Sequence, residues 1–259
     1  LKARIKSAFP EDLRNSILQQ AVEGKLVPQN PADEPAGELL KRIKQERQQQ
    51  IKEGKIKPSK LPKSNEPLNP ADMPFKIPDS WIWQRLDNVG IYKKGPFGSS
   101  LTKGIFVEKS DNTVKVYEQK NAIYKDEKLG NYYITNDYFE QKMKGFEVFP
   151  GDIIVSCAGT IGETFVLPDN MEKGIINQAL MKIKISNYIY VPYFLVYFDF
   201  IIKETSSNQS KGSAIKNIPP FDIFKQLPIP IPPLAEQKRI VKKIKDLDLL
   251  INNLFELIA

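Results

Sequence analysis

The side chains that most often carry enzyme chemistry are few in this sequence. It contains no histidine, which excludes histidine metal sites, Ser-His-Asp triads and Cys-His dyads. The single cysteine, Cys157, lies in the apolar run IIVSCAG, a setting that is typical of a small core residue. Any catalysis would therefore rest on carboxylates, lysines and tyrosines.

Three short patterns imitate catalytic motifs. Asp79, followed later by the stretch 118–120 (EQK), has the residue types that hold Mg²⁺ in metal-dependent nucleases. The stretch NIPPF at 217–221 differs from the N-P-P-Y/F motif of adenine methyltransferases, because Ile218 separates the asparagine from the prolines. GTIG at 159–162 is too small for a phosphate-binding loop. A nuclease stays open as an alternative, but no catalytic or metal-ligating residue is predicted.

Long polar loops that contain glycine interrupt the predicted strands, and loops held by a rigid sheet commonly carry recognition. They read KKGPFGSSLTKG, YEQKNAIYKDEKLGNYYIT and SSNQSKGSAIKNIPP. Lysine can contact guanine, asparagine and glutamine can contact adenine, and serine can bond phosphate. For each residue taken singly, a solvated surface role is the alternative. The candidate DNA-binding residues are Lys94, Gly98, Ser99, Ser100, Lys103, Gln119, Asn121, Lys125, Tyr132, Gln209, Ser210, Lys211, Ser213 and Lys216.

Apolar periodicity predicts helices near the start of the chain and strands after them. EDLRNSILQQAVEGKL has a helical apolar face that includes Ile17, and DEPAGELLKRIKQERQQQIKEG predicts a second helix with Asp33 as its N-cap. That second helix is expected to bury Leu39, Leu40 and Ile43. TVKVYEQ and ALMKIKI alternate as half-buried strands do, and FEVFPGDIIVS predicts two strands joined by a Pro-Gly turn.

The C-terminal segment predicts a long helix. The prolines of QLPIPIPP cannot donate to a central ladder, so the strand there is at an edge or ends. Beyond Pro233, apolar residues recur at spacings of four and three, as in a coiled-coil seam. We expect this helix to pair with the N-terminal helices or with a second chain, and an ordinary docked helix is the alternative. The predicted helix-packing residues are Ile17, Leu39, Leu40, Ile43, Ile240, Ile244, Leu247, Ile251, Leu254 and Ile258.

Charge and apolar runs bound the setting of the protein. Residues 41–63 hold nine Lys or Arg and two Asp or Glu, a surplus of seven that equals the net charge of the whole chain. Such a stretch suits a nearby phosphate backbone, and a solvated helix face with a linker is an equal alternative. One cysteine and no apparent signal peptide favour the cytoplasm. The apolar run 188–202, broken by Pro192 and Asp199, predicts a buried helix and no membrane span.

Six stretches carry a resemblance to a known family: LRNSILQQAVEGKLVPQ, DEPAGELLKRI, IPDSWIWQRL, GDIIVSCAGTIGET, NQAL and IPIPPLAEQKRIV. In them the chain is similar, over almost its whole length, to the specificity subunits of type I restriction–modification systems. PPLAEQKRIV is the most specific signature, because in this family it marks the exit from a target recognition domain into a conserved spacer helix. LRNSILQQAVEGKLVPQ is the matching sign of the helical region before such a domain.

The resemblance implies a subunit that does no chemistry. In this family each recognition domain reads one half of a split target in double-stranded DNA, and the conserved helices pair as an antiparallel coiled coil that spaces two such domains. The helices also dock the modification subunits, which bind S-adenosylmethionine and methylate adenine. Through those subunits they dock the restriction subunits, which translocate and cut. No cofactor is expected on this chain, while S-adenosylmethionine, ATP and Mg²⁺ are expected on the partners.

The chain departs from that family pattern because it holds one recognition domain where the usual subunit has two. A half-subunit that forms a homodimer and a part of a longer chain both fit this departure. Two assembled copies would read an inverted repeat around a fixed spacer. We predict an α+β fold with a helical region and Pro-rich linker at 1–74, a mixed α/β target recognition domain at 75–232 and a C-terminal spacer helix at 233–259. A coiled-coil scaffold with no role in DNA binding is the other alternative beside the nuclease.

Overall fold

The computed structural model describes residues 2–58, 61, 68–69, 73–209 and 220–258, and gives the backbone alone at 2–10, 203–209, 255, 257 and 258. The chain forms two compact units. The helical unit comprises Leu1–Val89, Ser186–Glu204 and Asp222–Ala259, and the sheet unit comprises Gly90–Ile185 and Thr205–Phe221. These units divide the chain differently from the three predicted regions, since residues 75–89, 186–204 and 222–232 of the predicted recognition domain lie in the helical unit.

Within the described residues, the helical unit contains four longer helices, two short ones and one small sheet. Its helices are α1 (Lys2–Val22), α2 (Ala36–Lys52), the short α3 (Leu86–Val89), α6 (Val191–Gln209), α7 (Phe221–Gln226) and α8 (Leu234–Ile258), of which α6 and α7 extend into the sheet unit at one end. Strands β1 (Ile82–Arg85) and β10 (Pro228–Ile231) pair antiparallel as a two-stranded sheet. The proline-rich strand β10 is therefore an edge strand, as predicted, because an edge does not require every N–H.

The N- and C-terminal helices pack against each other in the helical unit. Ala21 of α1 and Ile240, Val241 and Ile244 of α8 are buried in one cluster, against which Ile17 packs. Farther along, Arg14 of α1 donates to Asp248 of α8 at 3.3 Å and to Asn252 at 2.6 Å. Since lower numbers in α1 meet higher numbers in α8, the two helices run antiparallel.

Most of the predicted helix-packing residues are buried within the chain. Leu39, Ile43, Ile240, Ile244 and Ile251 are buried, and Ile17, Leu40 and Leu247 are half-buried. Leu254 is instead 46 % exposed, so the described part of this chain does not supply the packing predicted for it. The side chain of Ile258 lies outside the described residues.

The start of α2 differs from the prediction. The helix begins at Ala36, its N-cap is Pro35, and no side chain caps it. Asp33 was predicted to cap this helix, and that prediction is wrong. Its carboxylate instead accepts two hydrogen bonds from the guanidinium of Arg239 in α8, at 3.2 and 2.5 Å. This bidentate charged pair engages both carboxylate oxygens, which explains why Asp33 points to α8 and not to the start of α2.

The sheet unit contains two four-stranded sheets. One has the order β2-β9-β6-β7 and is antiparallel throughout, and the other has the order β4-β3-β8-β5, in which β3 and β8 run parallel. Two apolar clusters fill the unit, one around Val116 and Phe139 and the other around Ile154 and Leu180. The elements of this unit are β2 (Gly90–Lys94), β3 (Thr113–Tyr117), α4 (Gln119–Tyr124), β4 (Tyr133–Thr135), α5 (Asn136–Tyr138), β5 (Glu147–Val148), β6 (Ile153–Ser156), β7 (Thr164–Val166), β8 (Gly174–Ile176) and β9 (Leu180–Ile185).

Several element predictions are confirmed. β3 and β9 are the strands expected from TVKVYEQ and ALMKIKI, although β3 is more deeply buried than its alternating pattern indicated. Gly151, with a φ of 82°, makes the predicted turn between β5 and β6. The apolar run after Pro192 is a helix whose Tyr193 and Phe194 are fully buried.

Among the described residues, no helix combines the length and the apolar character needed to cross a membrane. The chain is thus a mixed α+β protein, as predicted.

Candidate nucleic-acid interface

Four strands of the sheet unit end close together. The loops that follow β2, β3, β6 and β8 meet there, and three backbone hydrogen bonds join them. Gly95 donates to the carbonyl of Leu180 at 2.9 Å, Asn177 donates to Tyr117 at 3.1 Å, and Cys157 donates to Ala179 at 2.8 Å. We call residues 95–101, 118–119, 157–162 and 177–179 the loop cluster. The rigid strands hold it, so its backbone is fixed before any ligand arrives.

The loop after β2 lies directly on the loop after β8. A Cβ added at Gly95 would stand 1.8 Å from the carbonyl oxygen of Asn177, so only glycine fits there. A Cβ at Gly98 would stand 3.9 Å from Cγ of Gln178, which is ordinary contact. Gly98 and Ser99 are exposed beside Gln178, and Phe97 is 87 % exposed. Three predicted residues from this loop, Gly98, Ser99 and the half-buried Ser100, therefore lie in the loop cluster.

The loop after β6 is a tight reversal that faces outward. Gly162 donates to the carbonyl of Ser156 at 2.9 Å, and the N–H of Glu163 donates to the Ser156 hydroxyl oxygen at 3.0 Å. Residues 158–160 are exposed, and a Cβ at Gly159 would lie 3.8 Å from Nε2 of Gln119. The strand before this turn is buried, but the turn brings exposed backbone to the predicted residue Gln119.

Asn121 does not belong to the interface, and its predicted DNA contact is wrong. Its side chain is completely buried, and its amide group is saturated within the loop that follows β3. Its oxygen accepts from the N–H of Glu118 at 2.7 Å, and its nitrogen donates to the carbonyls of Asp126 and Leu129, each at 2.8 Å. A buried asparagine with all three bonds made inside the chain has nothing left for a base.

A buried lysine holds the same loop from the other side. The side chain of Lys115 in β3 is inaccessible, and its Nζ donates to the carbonyl of Lys128 at 3.1 Å. Glu172 lies 3.6 Å away from that Nζ and also pairs with Lys109 at 2.7 Å. Burial pushes the pKa of Glu172 upward, but its bonds to Lys109 and the charge of Lys115 outweigh burial and lower the pKa. The negative charge of Glu172 therefore compensates the buried ammonium of Lys115.

The remaining predicted residues are spread around the sheet unit. Lys125, at a left-handed φ of 55°, donates to Glu163 at 2.8 Å and to the carbonyl of Thr164 at 2.7 Å, which ties α4 to β7. Tyr132 is 45 % exposed and stacks on Phe106 with ring centroids 4.4 Å apart. Lys94 and Lys103 are exposed. The side chains of Gln209, Ser210, Lys211, Ser213 and Lys216 lie outside the described residues.

A comparison with known protein families identifies the family of this chain. The family described as type I restriction modification DNA specificity domain matches residues 84–258, which include the whole sheet unit and all of α8. This chain belongs to that family. The resemblance read from the sequence is confirmed, and neither the nuclease nor the scaffold alternative is favoured.

Known specificity subunits show how much of such a protein this chain represents. It is 31 % identical over 244 residues to the EcoAI specificity subunit of Escherichia coli, covering 91 % of this chain and 39 % of that protein. It is 29 % identical over 251 residues to the EcoEI specificity subunit of the same organism, covering 90 % of this chain and 39 % of that protein. This chain therefore spans about two fifths of the length of these relatives.

Solved structures share the fold of the specificity domain. The HsdS subunit from Thermoanaerobacter tengcongensis aligns with a TM-score of 0.52 and 21 % identity, over 86 % of this chain and 51 % of that one. A chain from a structure describing complex assembly and conformational transition of the type I R-M system aligns with a TM-score of 0.50 and 16 % identity, over 96 % of this chain and 52 % of that one. The likeness extends over about half of each neighbour.

The structure describes most of the residues that imitate catalytic motifs. Glu118 forms an ion pair with Lys120 at 2.9 Å, and Asp79 belongs to the helical unit. Within the described residues no group of three acidic, cysteine or histidine side chains could hold a metal ion. Burial raises the pKa of Cys157 to about 11, so its thiol stays protonated at neutral pH. The motif NIPPF falls mostly outside the described residues.

Sequence reasoning missed three parts of the loop cluster of the specificity domain. Gln178 and residues 158–160 are exposed there, and Phe97 is the most exposed large apolar side chain of the described residues. NQAL and GTIG lie in stretches that resemble the family, but nothing in their composition indicates that both belong to the loop cluster. The available signal was their position, because each follows a buried strand directly, as the predicted loops do.

Proposed function

We propose that this chain is a non-catalytic DNA specificity subunit that reads one half of a bipartite target in double-stranded DNA. The observation that carries the proposal is the loop cluster: four loops on rigid strand ends, three of which have exposed residues, in a chain that belongs to the DNA specificity domain family. Its backbone is held by hydrogen bonds at 2.8–3.1 Å, so little ordering is needed on binding.

The side chains available to the loop cluster suggest how bases are read. The sheet unit contains no arginine and no histidine, so the usual arginine contact to guanine is excluded within it. Glutamine makes paired bonds to adenine in the major groove, and Gln119 and Gln178 both stand in the cluster. Ser99 and the glycine backbone of residues 159–162 suit phosphate oxygens. We therefore expect Gln119 and Gln178 to carry sequence preference.

The helical unit has a separate role in the proposal. The antiparallel contact of α1 with α8 supports a strut of conserved helices that extends as a coiled coil and sets the distance to a second recognition domain. On it would dock modification subunits holding S-adenosylmethionine and, through them, restriction subunits using ATP and Mg²⁺. Adenine methylation and base flipping then belong to the partners, and the complex works in the cytoplasm.

Methylome sequencing tests this function most directly. We expect a bacterial host that supplies the modification subunits to gain one bipartite methylated-adenine motif with this gene and to lack it without the gene. Gln178→Ala should relax one position of that motif, since each paired base contact is worth about 1–3 kcal/mol. Lys238→Ala, an exposed change on α8, should leave the motif unchanged.

A biochemical arm separates the proposal from the nuclease alternative. The purified chain with Mg²⁺ alone should leave a duplex intact, while the same chain with modification subunits should bind it. Cutting by the isolated chain that Glu118→Ala abolishes would refute the proposal. Unchanged methylation in the absence of the gene would refute it as well.

A further inference from the structure

The two-stranded ribbon of β2 and β9 concentrates lysines. Lys93 and Lys94 end β2, and Lys182 and Lys184 alternate along β9. In the register of this antiparallel pair, Lys93 stands directly opposite Lys182, and Ile91 stands opposite Lys184. Opposed residues and residues two apart share a face, so Lys93, Lys182 and Lys184 project from one side of the sheet. We call these three residues the lysine ridge.

The members of the lysine ridge lack ion-pair partners. Among the described residues, no carboxylate lies within 4.0 Å of the ammonium groups of Lys93, Lys182 or Lys184. Elsewhere in the same unit, six lysines do have a carboxylate within that distance: Lys109, Lys115, Lys120, Lys125, Lys144 and Lys173. Positive charge without a close counter-charge is thus concentrated on this ribbon.

The ridge carries an electrostatic cost. Like charges directly opposite each other on a sheet are destabilising. Burial lowers the pKa of Lys182, and the charges of Lys93 and Lys184 lower it further, against the opposing influence of Asp152 and Glu147. Asp152 is itself 3 % exposed, so its negative charge lies inside while Lys93 and Lys184 face solvent.

Two of the ridge lysines place their ammonium groups near aromatic rings. Nζ of Lys93 lies 4.9 Å from the ring centroid of Phe146, and Nζ of Lys182 lies 5.9 Å from that of Phe149. Lys182 also donates to the backbone carbonyl of Glu147. On the next strand, buried Ile154 stands opposite Lys182, so the ridge begins where the apolar core ends. Lys93 and Lys182 are therefore each positioned by an aromatic ring at the border of the packed core.

Protection of a sheet edge explains only part of this pattern. β2 is an edge strand, and lysines on edge strands discourage pairing with other chains. β9, however, lies between β2 and β6, so Lys182 and Lys184 have no edge to protect. A cluster of lysines on an inner strand requires another reason.

We propose that the lysine ridge of Lys93, Lys182 and Lys184 binds backbone phosphates of the DNA that the loop cluster reads. This inference rests on the proposed function and adds to it a contact site that carries no sequence preference. Lys93 is one residue from the strand end where the loop after β2 begins, so the ridge borders the loop cluster. Phosphates supply the negative charge that the ridge lacks. Residues two apart on a strand are about 7 Å apart, and the flexible lysine side chains can adjust this distance to reach neighbouring phosphates.

The salt dependence of DNA binding tests the lysine ridge. The probe is a fluorescein-labelled duplex that carries the methylation motif of the protein, titrated by anisotropy with the complex of this chain and its modification subunits at several salt concentrations. Lys93→Gln/Lys184→Gln should lower the slope of log K against log salt by about 1.8, since each phosphate contact contributes about 0.9. The ratio of affinities for the motif duplex and a scrambled duplex should stay unchanged.

A matched control has the same loss of charge in the same unit. Lys142 and Lys144 are exposed and outside the ridge, so Lys142→Gln/Lys144→Gln should change the slope by less than half as much. An equal slope for the ridge variant and the wild type would overturn the proposal, as would an equal effect of the control. Aggregation of the ridge variant with an unchanged slope would also overturn it and would assign the lysines to edge protection. If the wild type failed to prefer the motif duplex, the proposed function would fall instead.

Discussion

Three polar residues of PPLAEQKRIV, Glu236, Gln237 and Arg239, each hold a different part of the helical unit. Glu236 is 1 % exposed, and its carboxylate accepts from Trp81 Nε1 at 2.9 Å and from Gln29 Nε2 at 2.5 Å. Gln237 accepts from the N–H of Tyr190 at 2.8 Å, and Arg239 pairs with Asp33. The motif therefore secures the start of α8 to segments that are distant in sequence. Its residue types follow from buried hydrogen bonding and need no contact with a ligand.

Removing the carboxylate of Glu236 should destabilise the protein. Glu236→Ala leaves the buried indole N–H of Trp81 and the amide of Gln29 without their acceptors, and an unsatisfied buried donor costs about 1–3 kcal/mol. We expect a loss of that size in the free energy of unfolding, measured by urea titration. Lys238→Ala, on the exposed face of the same turn, should change it by less than about 0.5 kcal/mol. Equal losses in both variants would contradict the role of Glu236.

The same carboxyl makes stability depend on pH. Burial raises the pKa of Glu236 above its ordinary value of 4.5, against the hydrogen bonds from Trp81 and Gln29. The folded state therefore binds the proton more tightly than the unfolded chain. The stability that comes from this proton is complete below 4.5 and is lost as pH rises through the folded pKa. Relative to Glu236→Gln, the wild type should lose unfolding free energy over that window. If the wild type instead gained unfolding free energy relative to Glu236→Gln as pH rises, the raised pKa would be contradicted.

At the scale of elements, periodicity predicted the helices and strands well because one face of each is buried. It placed Ile240 and Ile244 in the core correctly, since their spacing alone defines a helix face. Residue type gave the wrong roles for Asn121 and Asp33, because Asn121 bonds to backbone groups of its own loop and Asp33 pairs with Arg239, which is distant in sequence. Periodicity also does not predict the contact between Gln178 and Gly98, because that contact depends on the order of strands in two sheets. Polar side chains in loops have no period, so only the fold reveals their partners.

The contact between α1 and α8 depends on buried apolar residues. Ile240 is completely buried between these helices, and Leu249 on the same helix is 62 % exposed. Ile240→Ala should lower the free energy of unfolding by about 2–5 kcal/mol, because it leaves a cavity in the core. Leu249→Ala should change it by less than about 0.5 kcal/mol. Chemical denaturation of both variants measures the difference, and similar values would show that α8 is not docked on α1.

The junction of the loops after β2 and β8 depends on one glycine. Gly95→Ala would force a methyl group to 1.8 Å from the Asn177 carbonyl oxygen, so the two loops must separate. We expect a fall in melting temperature that corresponds to about 1–3 kcal/mol, together with weaker binding of the motif duplex. Gly104→Ala is the matched control, since nothing lies within 4 Å of its added Cβ. Retention of full binding and stability by Gly95→Ala would contradict the close approach.

At the scale of the whole molecule, one recognition unit must be joined to another if a bipartite target is to be read. This chain spans about two fifths of its curated relatives, so the second unit belongs either to a second copy or to the same longer polypeptide. The later part of α8 bears on this choice. Leu250 and Leu254, four residues apart on one face of the helix, are 63 % and 46 % exposed, which leaves an apolar stripe for another helix.

Pairing of two copies through α8 makes a prediction about mass and target together. If the exposed leucines meet their equivalents in a second copy, the chain should have the mass of a dimer by light scattering. Leu250→Glu should reduce that mass to a monomer, because it places charge in an apolar contact, whereas Asn253→Glu on an exposed position nearby should not. The methylated motif should then be an inverted repeat, since two-fold symmetry of the protein imposes two-fold symmetry on the DNA. An asymmetric motif with unchanged mass in Leu250→Glu would assign the second recognition unit to the same polypeptide.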